Sequence, residues 1–236
     1  KHTSFASMGN DVADFNNDGL PDIYTLDMLP EDNYRKKMII PAAGYDKFQL
    51  LLQKGYEPQY TRNALQLNNG DGTFSEIARL AGVSNTDWSW CPLLADFDND
   101  GNKDLFISSG IVKRPVDLDF VKFADKMKAK GSDATDKFDD ETIAAMPDGA
   151  THPFLFKGDG KLSFKDVSES WGTQKLKGYS NGASYADLDN DGNLDLVINC
   201  LNAPALILKN NASNKNYISF SFAGDSLNTK GVGCKA

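Results

Sequence analysis

Short apolar segments recur in three copies of one pattern along this chain, and each copy surrounds an aspartate-rich loop. The residues directly after the loops are apolar, β-branched or aromatic, which is typical of short strands. They read Asp-Ile-Tyr-Thr-Leu from Asp22, Asp-Leu-Phe-Ile-Ser from Asp104 and Asp-Leu-Val-Ile-Asn from Asp195. A matching segment precedes each loop, at residues 7–13, 89–95 and 181–186. Each loop therefore joins two predicted strands, which we name A and B.

Strand C is predicted in all three copies, and strand D follows it in the first two. An apolar run leads into a turn rich in Asn, Asp and Gly, which tolerate positive φ and favour tight hairpins. These runs cover residues 64–74, 153–162 and 205–211, and the turn has diverged in the third copy. Strand D is predicted at 74–78 and 164–167. Four antiparallel strands repeated along a chain indicate the blades of a β-propeller. We therefore predict an all-β fold with helical insertions and about three four-stranded blades.

The segments between strands B and C are long in the first two copies, and their periodicity is helical. Helices are predicted over 45–55, 117–131 and 139–146. The predicted organisation is blade one at 1–86 with an insertion at 29–62, blade two at 87–177 with an insertion at 112–152, an irregular blade three at 178–214 and the start of another β module at 215–236. Because propellers usually have about four to eight blades, we expect the chain to be a fragment of a larger propeller.

The loops themselves have the spacing of a cation site. Oxygen-bearing side chains occupy positions 1, 3, 5 and 9 of nine residues, Gly occupies position 6, and a carbonyl at position 7 can add a ligand. Solvated Asx-rich turns, the alternative, need no fixed spacing of this kind. The predicted ligands are Asp14, Asn16, Asp18, Leu20 and Asp22 in loop one, Asp96, Asp98, Asp100, Asn102 and Asp104 in loop two, and Asp187, Asp189, Asp191, Asn193 and Asp195 in loop three.

The donor set favours Ca²⁺, with up to three ions. Oxygen ligands without clustered Cys or His are unlike the usual zinc and copper sites. An EF-hand would carry a bidentate Glu at position 12, where this chain has Thr25, Ile107 and Ile198. An EF-hand or a dockerin-type loop also continues into a helix, whereas strands are predicted here. The formal net charge of −8 is consistent with sites that bind cations.

These segments resemble a known family of repeats. Residues 95–107 (Ala-Asp-Phe-Asp-Asn-Asp-Gly-Asn-Lys-Asp-Leu-Phe-Ile), the two sister loops, and Asn-Asn-Gly-Asp-Gly-Thr-Phe at 68–74 resemble FG-GAP/VCBS repeats, the calcium-loop blades also seen in integrin α-subunit propellers. Residues 216–236 resemble the opening of an ASPIC/UnbV domain, and the run at 27–33 resembles Bacteroidetes surface proteins. The resemblance implies a secreted or surface-exposed bacterial protein. Loop one departs from the family pattern at Asn16 and Pro21, which predicts the weakest of the three sites.

Catalytic signatures are missing from the sequence, so we expect a binding protein rather than an enzyme. The two histidines, His2 and His152, have no catalytic neighbours in the sequence, and the loop aspartates are already assigned to metal. In a four-stranded meander the insertions lie on the face opposite the loops, and we expect this face to bind a protein or a glycan, with Trp88 and Trp171 as candidate stacking residues. The acidic composition argues against nucleic acid as a partner, and no membrane-inserted segment is predicted.

Calcium loops of this type bind weakly, so an extracytoplasmic location is expected. One alternative function stays open at this point. The chain could be an accessory domain of a secreted carbohydrate-active or other hydrolytic enzyme whose catalytic module lies outside it.

Overall fold

The fold is mainly antiparallel β-structure with helical insertions, as the sequence predicts. The computed structural model describes residues 2–40, 44–129, 140–213, 217–218, 220–224 and 228–232. The strands are β1 (Thr3–Ser4), β2 (Asn10–Ala13), β3 (Asp22–Thr25), β4 (Met28–Leu29), β5 (Gln59–Tyr60), β6 (Ala64–Asn68), β7 (Phe74–Glu76), β8 (Asp87–Ala95), β9 (Asp104–Ser109), β10 (Ile111–Lys113), β11 (Asp148–Gly149), β12 (Phe154–Gly158), β13 (Phe164–Asp166), β14 (Ser180–Ala186), β15 (Asp195–Cys200) and β16 (Leu206–Leu208). The helices are α1 (Asn33–Met38), α2 (Tyr45–Gln53), α3 (Leu118–Ala129) and α4 (Asp140–Ala145).

Three antiparallel sheets correspond to the predicted repeats. Blade one has the strand order β2-β3-β6-β7, and blade two has β8-β9-β12-β13. Blade three has the order β14-β15-β16, and no fourth strand occurs in its described part. Each loop joins the first two strands of its sheet, which confirms that the loops connect strands and not helices. The sheet of blade two gains a fifth strand, β4, which comes from the first insertion and pairs with β8. The sequence pattern did not predict this pairing.

The first strands of consecutive blades are neighbours, as expected for a propeller-like arrangement. Strand β8 contacts both β2 and β14. The backbone N–H of Leu94 in β8 donates to Asp11 Oδ2 of β2 at 2.7 Å. The Cys91 thiol lies 3.6 Å from the carbonyl oxygen of Ala183 in β14. These contacts tie three separately predicted repeats into one structure.

The core between blades one and two is closed by Phe164 of β13. Its side chain is 7% exposed and its ring centroid lies 5.7 Å from that of Phe15, the second residue of loop one. Leu65, Ala81 and Phe156 belong to the same buried cluster. The equivalent space between blades two and three is an open cavity of ≈ 500 Å³, because the described part of blade three offers no such phenylalanine.

The predicted helices are confirmed within the described residues, and one further helix occurs. Helix α2 matches the prediction over 45–55, and α3 and α4 match those over 117–131 and 139–146, except that residues 130–139 lie outside the described residues. Helix α1 was not predicted. Asp32 is its N-terminal cap, because the Asp32 side chain accepts a hydrogen bond from the Arg35 N–H at 2.8 Å.

The loops and the insertions occupy opposite ends of the blades. The C–D hairpins lie beside the loops, since Asn68 and Gly158 donate their backbone N–H to loop aspartates. The two insertions meet each other at the other end, where residues Ile39 and Asp117 form a β-bridge. We call these ends the loop face and the insertion face. The domain boundaries stay a prediction, as does the module at 215–236, of which residues 215–216, 219, 225–227 and 233–236 lie outside the described residues.

Candidate metal centres

All three loops have one backbone conformation, held by equivalent hydrogen bonds. Asp14 at position 1 accepts from the N–H groups of Asp18 and Gly19 at 3.1 and 2.8 Å. Asp96 and Asp187 accept the equivalent bonds at 2.8–3.1 Å. The position 6 glycines have φ of 85°, 90° and 88°, in the left-handed region that glycine adopts without strain.

Positions 5 and 7 close the turn of each loop. The position 5 carboxylates, of Asp18, Asp100 and Asp191, accept a hydrogen bond at 2.8–2.9 Å from the N–H of the position 7 residue. The position 7 residues are Leu20, Asn102 and Asn193. Their carbonyl groups as metal ligands stay a prediction.

The position 9 aspartates are buried and connect each loop to its own blade. Asp22 and Asp104 are fully buried, and Asp195 is 3% exposed. Asp104 accepts hydrogen bonds from the N–H groups of Phe97 at 2.9 Å and Gly158 at 3.0 Å. Burial raises the pKa of Asp104 to about 7, although these backbone hydrogen bonds oppose the shift. A nearby cation would stabilise the charged form of such a carboxylate.

Oxygen atoms converge in the loops and some of them lack partners. Three carboxylates have oxygen atoms within 4.8 Å of one another in loop two (Asp96, Asp98, Asp104) and in loop three (Asp187, Asp189, Asp191). At position 3 the Oδ1 atoms of Asn16 and Asp98 are buried without a hydrogen-bond partner. Because buried polar atoms are nearly always partnered, these two oxygens fit the requirements of an absent cation. The all-oxygen donor set suits Ca²⁺.

Lysine side chains reach into loops two and three. The Lys157 ammonium contacts Asp98 and lies 2.7 Å from Asp100 Oδ2. The Lys209 ammonium contacts Asp189 and lies 3.3 Å from Asp191 Oδ2. Burial lowers the pKa of Lys157, but the hydrogen bonds to Asp100 and Asp98 outweigh it and raise that pKa above its ordinary value. These lysines were not predicted as part of the sites, since they lie far from the loop carboxylates along the chain.

An asparagine at position 4 links each loop to the next. Asn17 Nδ2 donates to the Gly101 carbonyl and to Asn102 Oδ1, both at 3.2 Å. Asn99 Nδ2 donates to the Gly192 carbonyl at 3.3 Å and to Asn193 Oδ1 at 2.8 Å. Both asparagines have positive φ, of 60° and 55°, which Asn tolerates better than most residues. Asn recurs at position 4 in all three copies, and this recurrence is the sequence signal for these links.

The two candidate stacking residues lie in different surroundings. Trp88 is half-buried in β8 opposite Met28 of β4, and its indole Nε1 is buried without a partner. Trp171 is also half-buried, and it lines the ≈ 500 Å³ cavity together with Phe97 and Lys209. The structure therefore does not bring the two residues together, and their role in ligand binding stays a prediction.

Comparison with known families identifies the repeat that contains loop two. Residues 51–107 match the FG-GAP-like repeat. The matched segment runs from the first insertion through strands C and D of blade one to strand B of blade two. No curated protein matches the chain. This result supports the resemblance to FG-GAP and integrin α-like blades, and it says nothing of the ASPIC/UnbV or Bacteroidetes resemblances.

FG-GAP-like repeats are typically non-catalytic domains of extracellular proteins, and they often bind Ca²⁺. None of the helices in the described residues combines the length and the apolar character that crossing a bilayer requires.

His152, the histidine at the end of the second insertion, is 9% exposed, and its Nε2 lies 4.0 Å from Glu31 Oε1. Its ring packs against Phe154 at a centroid distance of 4.4 Å. This position is in keeping with a packing role.

Proposed function

We propose that this chain is a calcium-binding, non-catalytic β-propeller segment of an extracytoplasmic protein, and that it recognises a protein or glycan through its insertion face. The observation that carries the proposal is the threefold recurrence of one oxygen-lined loop with equivalent hydrogen bonds, one copy of which lies inside an FG-GAP-like repeat. Chance turns do not repeat side-chain spacing, backbone φ and hydrogen bonds together.

Each loop would hold one Ca²⁺ through its oxygens at positions 1, 3, 5 and 9 and the position 7 carbonyl. Bound Ca²⁺ supplies positive charge among three or four carboxylates, and it would satisfy the unpaired oxygens of Asn16 and Asp98. The role of the ion in this proposal is structural, because each loop fixes the connection between strands A and B.

Exposed aromatic side chains on the first insertion support recognition on the insertion face. Tyr34, Tyr45 and Tyr56 are 70%, 77% and 57% exposed. Neither α1 nor α2 has a buried residue. Tyrosine is enriched in protein interfaces and stacks on sugar rings, since it offers a rigid apolar face and a polar hydroxyl. The sequence alone did not distinguish these tyrosines from buried ones, because α1 was not predicted and their exposure depends on the fold.

Thermal unfolding with CaCl₂, with MgCl₂ and with EDTA tests the calcium half of the proposal. Ca²⁺ should raise the melting temperature well above the value in EDTA, and Mg²⁺ should raise it much less, because Mg²⁺ demands a tighter octahedral site. Asp96→Asn should reduce the calcium-dependent rise. Asp159→Asn removes a charge from the β12–β13 hairpin outside the loops, so it should leave the rise intact. A melting temperature that is equal in CaCl₂ and EDTA would contradict the proposal.

Glycan-array binding by the calcium-loaded chain tests the recognition half. A specific glycan signal that is lost in a Tyr34→Ala/Tyr45→Ala variant with unchanged melting temperature would support the insertion face as the binding surface. A glycan signal that survives in this variant would place recognition elsewhere.

A further inference from the structure

One position near the end of strand C is leucine in blade one and lysine in blades two and three. Asn68, Gly158 and Asn210 are equivalent, because each donates its N–H to the position 9 aspartate of its loop at 2.8–3.0 Å. The residue before each of them is Leu67 in blade one, Lys157 in blade two and Lys209 in blade three. The two lysines contact loop carboxylates, and the leucine replaces them in blade one.

The same loops also differ at position 3. Loops two and three carry Asp98 and Asp189 there, and these are the carboxylates that the lysines contact. Loop one carries Asn16, whose Nδ2 donates to Asp18 Oδ2 at 2.9 Å. In loop one the Asn16 amide therefore donates to the position 5 carboxylate, as a lysine does in each of the other two loops.

The two differences compensate each other in charge. Loop one has three aspartates and is contacted by no strand-C lysine, whereas loops two and three each have four aspartates and are contacted by one strand-C lysine. The side chains at positions 1, 3, 5 and 9 together with the strand-C neighbour therefore carry the same net charge of three negative units in each blade; Lys103, at position 8 of loop two, is not among these positions. A lysine occurs only where the fourth carboxylate occurs.

We propose that Lys157 and Lys209 are tethered counter-ions that set the calcium affinity of loops two and three. In the metal-free chain each ammonium neutralises part of the carboxylate charge and keeps its loop in a metal-ready conformation. Ca²⁺ displaces the ammonium when it binds, so these loops bind Ca²⁺ more weakly than the same loops would without their lysine. Loop one binds its ion without such an exchange. The inference rests on the proposed function, because it concerns the same calcium sites.

The exposure of the two lysines predicts a larger effect in loop two. The Lys157 side chain is 36% exposed and its carboxylate partners are 22% and 17% exposed. The Lys209 side chain is 54% exposed, with partners at 41% and 34%. Because solvent screens exposed ion pairs, replacing Lys157 should change calcium affinity more than replacing Lys209.

Lys157→Met tests the proposal by two readouts of opposite sign. Isothermal titration with CaCl₂ should show the affinity of loop two raised by about three- to tenfold, since two partly exposed ion pairs no longer compete with the ion. The melting temperature in EDTA should fall, because four carboxylates lose their counter-ion. Lys157→Arg keeps the charge and should stay close to the wild type. Lys165→Met is the matched control, since Lys165 is exposed and lies directly opposite Lys157 in the sheet.

The outcomes separate this inference from the proposed function. An equal calcium affinity in the wild type and in Lys157→Met would overturn the counter-ion role and leave calcium binding in place. An equal gain in Lys165→Met would also overturn it, because the effect would then be one of net charge alone. Absence of calcium binding in every variant would instead refute the proposed function.

Discussion

Asp87 pairs with an arginine from each of the two insertions, and its replacement tests the stability of the insertion face. Its side chain is 3% exposed and pairs with Arg114 Nη2 at 2.9 Å and with Arg35 Nη1 at 2.7 Å. Arg35 belongs to the first insertion and Arg114 to the second. One buried carboxylate at the start of β8 therefore holds both insertions to blade two.

Asp87→Asn removes the charge and keeps the backbone, because Asn also tolerates the φ of 63° found at this position. The cost comes from Arg114, which is 8% exposed and whose Nε already lacks a hydrogen-bond partner. Leaving a buried charge without its partner costs about 3–5 kcal/mol. Arg35 is 28% exposed and can turn toward solvent, so it adds little to this loss.

Urea unfolding of the calcium-loaded chain measures the effect. Asp87→Asn should lower the free energy of unfolding by about 3 kcal/mol, which corresponds to roughly 6–12 °C in melting temperature for a chain of this size. Arg35→Met should cost less than about 1 kcal/mol. Adding Arg114→Met to Asp87→Asn should recover part of the loss. A loss below about 1 kcal/mol in Asp87→Asn would refute the assignment of Asp87 as the buried tie between the insertions.

Three further predictions concern the core, a buried hydrogen-bond network and the link between loops. Phe164→Ala should lower the free energy of unfolding by about 3–5 kcal/mol, because it opens the core between blades. Phe74 is at the equivalent position in blade one and is 39% exposed, so Phe74→Ala should cost less than about 1 kcal/mol. Equal losses in urea unfolding would contradict this packing. Asn63→Ala should lower the free energy of unfolding by about 2–3 kcal/mol, because the buried Asn63 amide donates to Thr86 Oγ1 at 2.6 Å and to two other oxygens. A denaturation midpoint close to that of the wild type would argue against this network. Asn99→Gly allows positive φ and loses only the link to loop three, so it should lower the free energy of unfolding by about 1 kcal/mol. Asn99→Ala should cost about 1–2 kcal/mol more, because alanine disfavours positive φ. A higher stability of the alanine variant in differential scanning calorimetry would exclude a role for backbone conformation.

The sequence predicted what depends on local pattern. The apolar, β-branched and aromatic runs after the loops, with their matching segments before the loops, predicted strands A and B, and the spacing of apolar residues over 45–55 predicted α2, since both signals lie within a few consecutive residues. The loop geometry was also predictable, because Gly and Asx at fixed positions determine a turn within a few residues.

What the sequence did not predict depends on distant contacts. Strand β4 has only two residues, so it leaves no periodicity, and its pairing with β8 is set by the insertion as a whole. Lys157 reaches Asp98 across a separation of 59 residues, and a lysine in a strand has the same local pattern whether it faces solvent or a carboxylate. The pairing of Asp87 with two arginines was unpredictable for the same reason.

Strand B connects the two faces of each blade, so calcium bound in the proposed sites would also affect the insertion face. In blade two, β9 begins at Asp104, the buried position 9 residue of loop two, and ends at Ser109, two residues before β10 opens the second insertion. A one-residue shift in the pairing of β9 would move each of its six buried side chains to the opposite face of the sheet. Asp104 opposes such a shift, since it receives hydrogen bonds from Phe97 at 2.9 Å and from Gly158 in β12 at 3.0 Å. Charge repulsion in a metal-free loop acts on this same residue. Calcium removal should therefore loosen the insertion face through the register of strand B, although no ion would touch that face.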